Sequence, residues 1–133
     1  MENYEEIRDN KTVIAIILRN DYSEKGMTFF TPENSVQQLA FMNRKKNTFV
    51  ENHIHNPVKR EITGTQEFIF VKHGKMKTDF YTQNKEYICS RVLQDGDAVL
   101  QVSGGHGFEM LEEVDLIVLK QGPYAGESDK THF

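Results

Sequence analysis

Apolar positions along this chain recur mostly at a period of two, in short runs rich in β-branched and aromatic residues, with Gly, Asn and Asp between them. That rhythm predicts strands rather than helices. Thr12 to Leu18 reads as the first strand, and residues 27–30, 38–43 and 48–55 as the next three. Residues 66–72 and 75–81 flank His73-Gly74, where the glycine suits a hairpin turn. Residues 87–93 run into Gln94-Asp95-Gly96-Asp97, a second turn, and residues 98–102 and 107–111 surround Ser103-Gly104-Gly105. Residues 114–121 close a series of about nine or ten strands, with no amphipathic helix of useful length. An all-β single domain spanning 1–133 is expected, as a sandwich, jelly roll or barrel.

Two segments carry further expectations. Thr12 to Leu18 is continuous in apolar residues and wants both faces covered, which predicts a homodimer formed through this exposed strand. The tail, 122–133, is rich in Gly and polar residues but contains Tyr124 and Phe133, so it is expected to dock rather than fray.

Composition narrows the function. The 133 residues carry 16 Lys and Arg against 20 Asp and Glu, a net charge of -4 spread along the chain. That is no electrostatic footprint for nucleic acid, and Arg44-Lys45-Lys46 reads as a solvated loop. One cysteine, Cys89, allows no internal disulfide and lies in a predicted strand, where packing is its ordinary role. The acidic start, Met1-Glu2-Asn3-Tyr4-Glu5-Glu6, has no apolar core of a signal peptide, and the run Val13 to Leu18 is too short to span a bilayer. A cytoplasmic protein with neither membrane nor nucleic-acid partners is expected.

The candidate chemistry lies in the histidines. In His53-Ile54-His55, a strand would put both imidazoles on one side and Ile54 on the other. Imidazole suits zinc, copper, iron and nickel, although two surface histidines also meet by chance. Glu67 opens the apolar strand Phe68-Ile69-Phe70-Val71, where a charge needs a partner; Lys72 and Arg60 are ordinary ones. His106 lies among glycines, in Gly104-Gly105-His106-Gly107, where small neighbours permit close approach.

Together these positions resemble the two motifs of the cupins. His53-Ile54-His55, Glu67 and Gly74 follow the first motif, with six residues between Glu67 and Gly74 as in the family. Gly96-Asp97, Gly104-Gly105 and His106 follow the second. The segment from His53 through Gly74, with Lys120-Gln121-Gly122-Pro123-Tyr124, is similar to small stand-alone cupins of bacterial surface-sugar pathways, the WxcM-like and WbuC-like group. The chain departs from the pattern in the eleven residues between His55 and Glu67, and in Val102 where the family has proline. Glu61 and Glu109 are therefore alternatives to Glu67.

The resemblance implies a double-stranded β-helix, the jelly-roll barrel, with one divalent ion on His53, His55, Glu67 and His106. Iron, manganese, nickel and zinc all suit such donors. It implies a small-molecule ligand, such as a sugar phosphate or nucleotide sugar, and isomerase or epimerase chemistry with the ion as Lewis acid. Lys59 and Arg60 are candidates to meet a phosphate, and Tyr124 to line the ligand; Glu109 is a candidate base. A non-haem iron dioxygenase and a non-catalytic ligand-binding module are the competing readings. His73 and His132 are given no role.

Overall fold

A computed structural model describes residues 3–133; Met1 and Glu2, the first residues of the acidic start, lie outside it. Among the described residues the architecture is all-β, with antiparallel pairing throughout and one 3-10 turn at Gly126–Asp129. The strands are β1 (Tyr4–Asp9), β2 (Thr12–Leu18), β3 (Gly26–Phe29), β4 (Ala40–Asn43), β5 (Glu67–His73), β6 (Lys75–Tyr81), β7 (Tyr87–Gln94), β8 (Ala98–Gln101), β9 (Gly105–Met110) and β10 (Asp115–Lys120). Two compact units emerge: residues up to Tyr22 together with 65–133, and residues 23–64.

The larger unit holds a five-stranded sheet in the order β1-β2-β8-β5-β10 and a three-stranded sheet in the order β7-β6-β9. Cross-strand partners share a face, so the register gives the inner rows. In the larger sheet one row reads Ile17, Val99, Ile69, Val118, and the next Ala15, Gln101, Glu67, Lys120. In the smaller sheet Met76 pairs with Leu93, and Phe80 with both Cys89 and His106. Ile17, Val99, Ile69, Val71, Met76, Phe80 and Leu93 form the core, almost wholly removed from water. An ion pair joins the two sheets at one side, where Arg91 of β7 donates to both oxygens of Glu5 of β1 at 2.6 to 3.1 Å.

Three expectations are corrected, and one strand is added. The segment 48–55 is not a strand; its backbone is irregular and its residues exposed. His73-Gly74 does not close a hairpin, since β5 and β6 belong to different sheets. Gly74 turns that corner at φ 103°, a conformation that glycine tolerates, and an added Cβ would fall on the Glu113 carbonyl oxygen. β2 is not an exposed strand: it lies between β1 and β8, with Ile14 to Ile17 buried. The acidic stretch that follows Met1 and Glu2 forms β1, paired to β2 through a turn in which Asn10 takes φ 53°.

The smaller unit pairs β3 with β4 and continues as an irregular stretch. Its 31–38 turn is built on Gln38, whose Nε2 donates to the carbonyls of Pro32, Glu33 and Ser35, while its Oε1 accepts from Thr31. The exposed Phe49, Val50, Ile54 and Val58 lie in the irregular stretch.

Candidate metal centre

Each candidate ligand is positioned by its own local structure. Glu67 is the first residue of β5, one step along the inner face from Ile69. His106 is the second residue of β9, delivered by the 102–105 turn. That turn is pinned to β2: Val102 and Ser103 donate their backbone N–H groups to Ile14 O, and the Ser103 hydroxyl donates to Val13 O at 2.7 Å. Gly104 comes close to the Tyr81 carbonyl at φ 67°, a passage a side chain would obstruct.

The two residues meet. His106 Nε2 lies 3.4 Å from Glu67 Oε1, each side chain about a quarter exposed. Burial holds the His106 imidazole below its ordinary pKa; Glu67 pulls the other way, and the charge of Lys130 adds to the lowering. Neutral imidazole is the form that binds a cation. His106 Nδ1 is shielded from solvent and has no hydrogen-bond partner. The ring rests against Phe108, centroids 4.6 Å apart.

The tail borders this pair. Lys120, beside Glu67 in the register, is joined to Asp129 at 3.3 Å. Phe133 packs edge-on to Tyr81 at 5.1 Å and lies against Gly105, where an added Cβ would stand 3.0 Å from its ring. The tail touches the larger unit through Phe133, yet neither ring is buried as expected: Phe133 is 63 % and Tyr124 84 % exposed.

His53 and His55 belong to the smaller unit. Their rings stand 5.2 Å apart, edge to face, although no strand aligns them. His53 Nδ1 is 2.8 Å from the Glu51 carbonyl, which can only accept. Nδ1 therefore carries a proton, which leaves Nε2 as the nitrogen that could face a cation.

The remaining candidates are dispersed. Glu109 pairs in register with Lys77, on the opposite face of β9 from His106. Lys59 is exposed, and Arg60 and Glu61 line a shallow cleft of the smaller unit with Glu33, Asn34 and Ser35. His73 pairs with Asp95 at 3.3 Å. Gln101 was not among the sequence candidates, yet it stands beside Glu67 in the register, 6 % exposed. The one available signal is its place at the end of Ala98-Val99-Leu100, a polar residue on the side of Val99.

Among the described residues no group of three or more His, Cys, Asp or Glu side chains stands together in a way that would hold an ion. The donors come as two pairs, Glu67 with His106 and His53 with His55. Carboxylate and imidazole are donor types that divalent ions accept, but each pair by itself supplies only two.

The chain matches no known protein family, no curated protein and no solved structure.

Proposed function

We propose that this chain is a small cupin-type protein that holds one divalent ion on His53, His55, Glu67 and His106. The observation that carries the reading is the approach of His106 to Glu67, two residues 39 positions apart in sequence, at 3.4 Å. The connectivity supports a jelly-roll assignment: after β5 the chain crosses to β6 and β7, returns to β8 beside β5, crosses to β9 beside β6, and returns to β10.

His53, His55 and His106 would present neutral nitrogens and Glu67 a carboxylate, so the site would carry a single protein charge toward the ion. A divalent ion there would supply Lewis acidity to a carbonyl or hydroxyl of the ligand. The ligand class we propose is a sugar or sugar phosphate, with Lys59 and Arg60 as phosphate partners, isomerase or epimerase chemistry, and a cytoplasmic setting. A second reading, binding without chemistry, is favoured by Glu109, which faces away from His106 and so offers no base beside the pair. A homodimer is proposed through β10, an edge strand whose Ile117, Val118 and Leu119 are each at least half exposed; sedimentation velocity showing only monomer would refute it.

The test of the ligand class is calorimetric titration of the zinc-loaded chain with glucose 6-phosphate, glucose and inorganic phosphate. Binding of the sugar phosphate, weakened in Lys59→Ala and Arg60→Ala, supports the reading. No heat from any of the three overturns the sugar-phosphate assignment.

A further inference from the structure

The tail crosses from one sheet to the other beside the point where Glu67 and His106 meet. It leaves β10 after Lys120, which pairs with Glu67 in the register. Asp129, the last residue of the 3-10 turn, returns to Lys120, with its Oδ2 3.3 Å from Nζ. This tie is to the larger sheet. Four residues later the Phe133 ring stands edge-on to Tyr81 of β6 at 5.1 Å and lies against Gly105 of β9, the neighbour of His106 in sequence. This tie is to the smaller sheet. Lys130 continues from the turn with extended backbone, φ -150° and ψ 158°. Four extended residues reach about 13–14 Å, enough to bridge the roughly 10 Å between two packed sheets.

Both ties are slight. The Lys120 and Asp129 side chains are 30 % and 14 % exposed, and no residue of the 3-10 turn is buried. Phe133 is 63 % exposed. A partly solvated ion pair holds a segment weakly, and segments with few buried contacts open well before the rest of a fold. The place that the tail passes is different in kind. Glu67 Oε1 and His106 Nε2 lie 3.4 Å apart there, and His106 Nδ1 is shielded from solvent without a hydrogen-bond partner among the described residues.

We propose that residues 122–133 form a strap that opens and closes over the Glu67–His106 pair, so that a small molecule reaches these two residues only while the strap is released. Asp129 is its latch on the larger sheet and Phe133 its latch on the smaller one. The strap is a property of the protein chain alone and does not depend on what the pair binds.

The experiment is modification of the full chain by diethyl pyrocarbonate at about pH 8, where imidazoles of ordinary pKa are neutral. No metal is added, and each histidine is followed by peptide mass spectrometry. Wild type is compared with Asp129→Ala, Phe133→Ala and the double variant, and His73, whose side chain is 72 % exposed, is the internal reference. Relative to His73, His106 should react at least about fivefold faster in the double variant than in wild type, with smaller gains in the single variants. Phe133→Ala changes no charge, so its gain does not come from altered ionisation. A loosened fold would also expose His106, so hydrogen exchange at the core amides of Ile69 and Val99 is read in the same samples and should stay unchanged. Equal His106 rates in all four chains overturn the inference. So does a wild-type His106 as reactive as His73, or a gain that the core amides share. Should the double variant fail to fold, Phe133→Ala decides alone: a gain of about twofold or more supports the strap, and an unchanged rate refutes it. Metal plays no part in the readout, so failure of the strap and failure of the metal reading are separate results.

Discussion

Replacing Asp97 by Ala should unfold much of what the corner between β7 and β8 secures. The Asp97 carboxylate accepts from Asn20 N at 2.9 Å, Gln94 N at 2.9 Å and Arg19 Nη1 at 3.0 Å. The residue is 4 % exposed. The Arg19 side chain is 10 % exposed, and its Nε and Nη2 have no partners. Without Asp97, the guanidinium would keep only the Val92 carbonyl, at 2.6 Å. Removing one partner of a buried ion pair costs about 3–5 kcal/mol, because the other charge stays behind in low dielectric. The two orphaned backbone N–H groups push toward the top of that range, roughly 1–3 kcal/mol each where water cannot reach them. Arg19→Met should cost less, about 1–2 kcal/mol, because Asp97 keeps both backbone donors. Urea unfolding followed by circular dichroism measures both. The reasoning fails if Asp97→Ala loses less than about 1 kcal/mol, or if Arg19→Met is the more damaging change.

Three further outcomes are expected. Gly74→Ala should cost more than about 3 kcal/mol, since its Cβ meets backbone at Glu113 and Val114 at positive φ. Gly64→Ala, with φ +86° but nothing within 4 Å, should cost about 1 kcal/mol, so thermal melts showing equal losses would contradict the steric argument. Burial raises the Cys89 thiol pKa, Arg91 opposing and Glu5 adding, so less thiolate is present at pH 8 than in the unfolded chain; iodoacetamide should alkylate native Cys89 several-fold more slowly than the urea-unfolded chain, and equal rates would refute this. Phe133→Ala should leave global stability within about 1 kcal/mol yet speed cleavage of residues 125–133 by proteinase K, because the ring is 63 % exposed and its contacts are with Tyr81 and Gly105; an unchanged cleavage rate would show that the ring does not hold the tail.

Strand positions were legible where alternation and β-branching agreed. Thr12–Leu18 and Lys75–Tyr81 coincide with their predicted bounds, and β5, β7, β8, β9 and β10 differ by a residue or two at their ends. Which strands pair was not legible. A positive-φ glycine serves a hairpin and a corner between sheets equally well, so His73-Gly74 looks the same in either, and only distant partners decide. β1 was hidden by its Glu and Arg residues: a strand at a sheet edge needs only an apolar residue such as Ile7 facing the core. Residues 48–55 have the alternation of a strand, yet they pair with no strand, and pattern alone does not supply a partner. At the candidate centre, Glu67 and His106 were both legible, because a charge opening an apolar strand and a histidine among glycines each stand out. The buried Gln101, beside Glu67 in the register, was not, since an unpaired oxygen is something a sequence does not display.

The metal content of the purified chain bears most directly on the account. Elemental analysis should find about one divalent ion per chain in wild type and in His73→Ala, and none in His53→Ala, His55→Ala or His106→Ala; Glu67→Gln should retain less than wild type. Stripping the ion with a chelator should lower the melting temperature of wild type and leave the three metal-free histidine variants unchanged. If those three histidine variants hold as much metal as the parent, or if the parent holds none when supplied with iron, manganese, nickel or zinc, the centre built here on Glu67 and His106 does not exist.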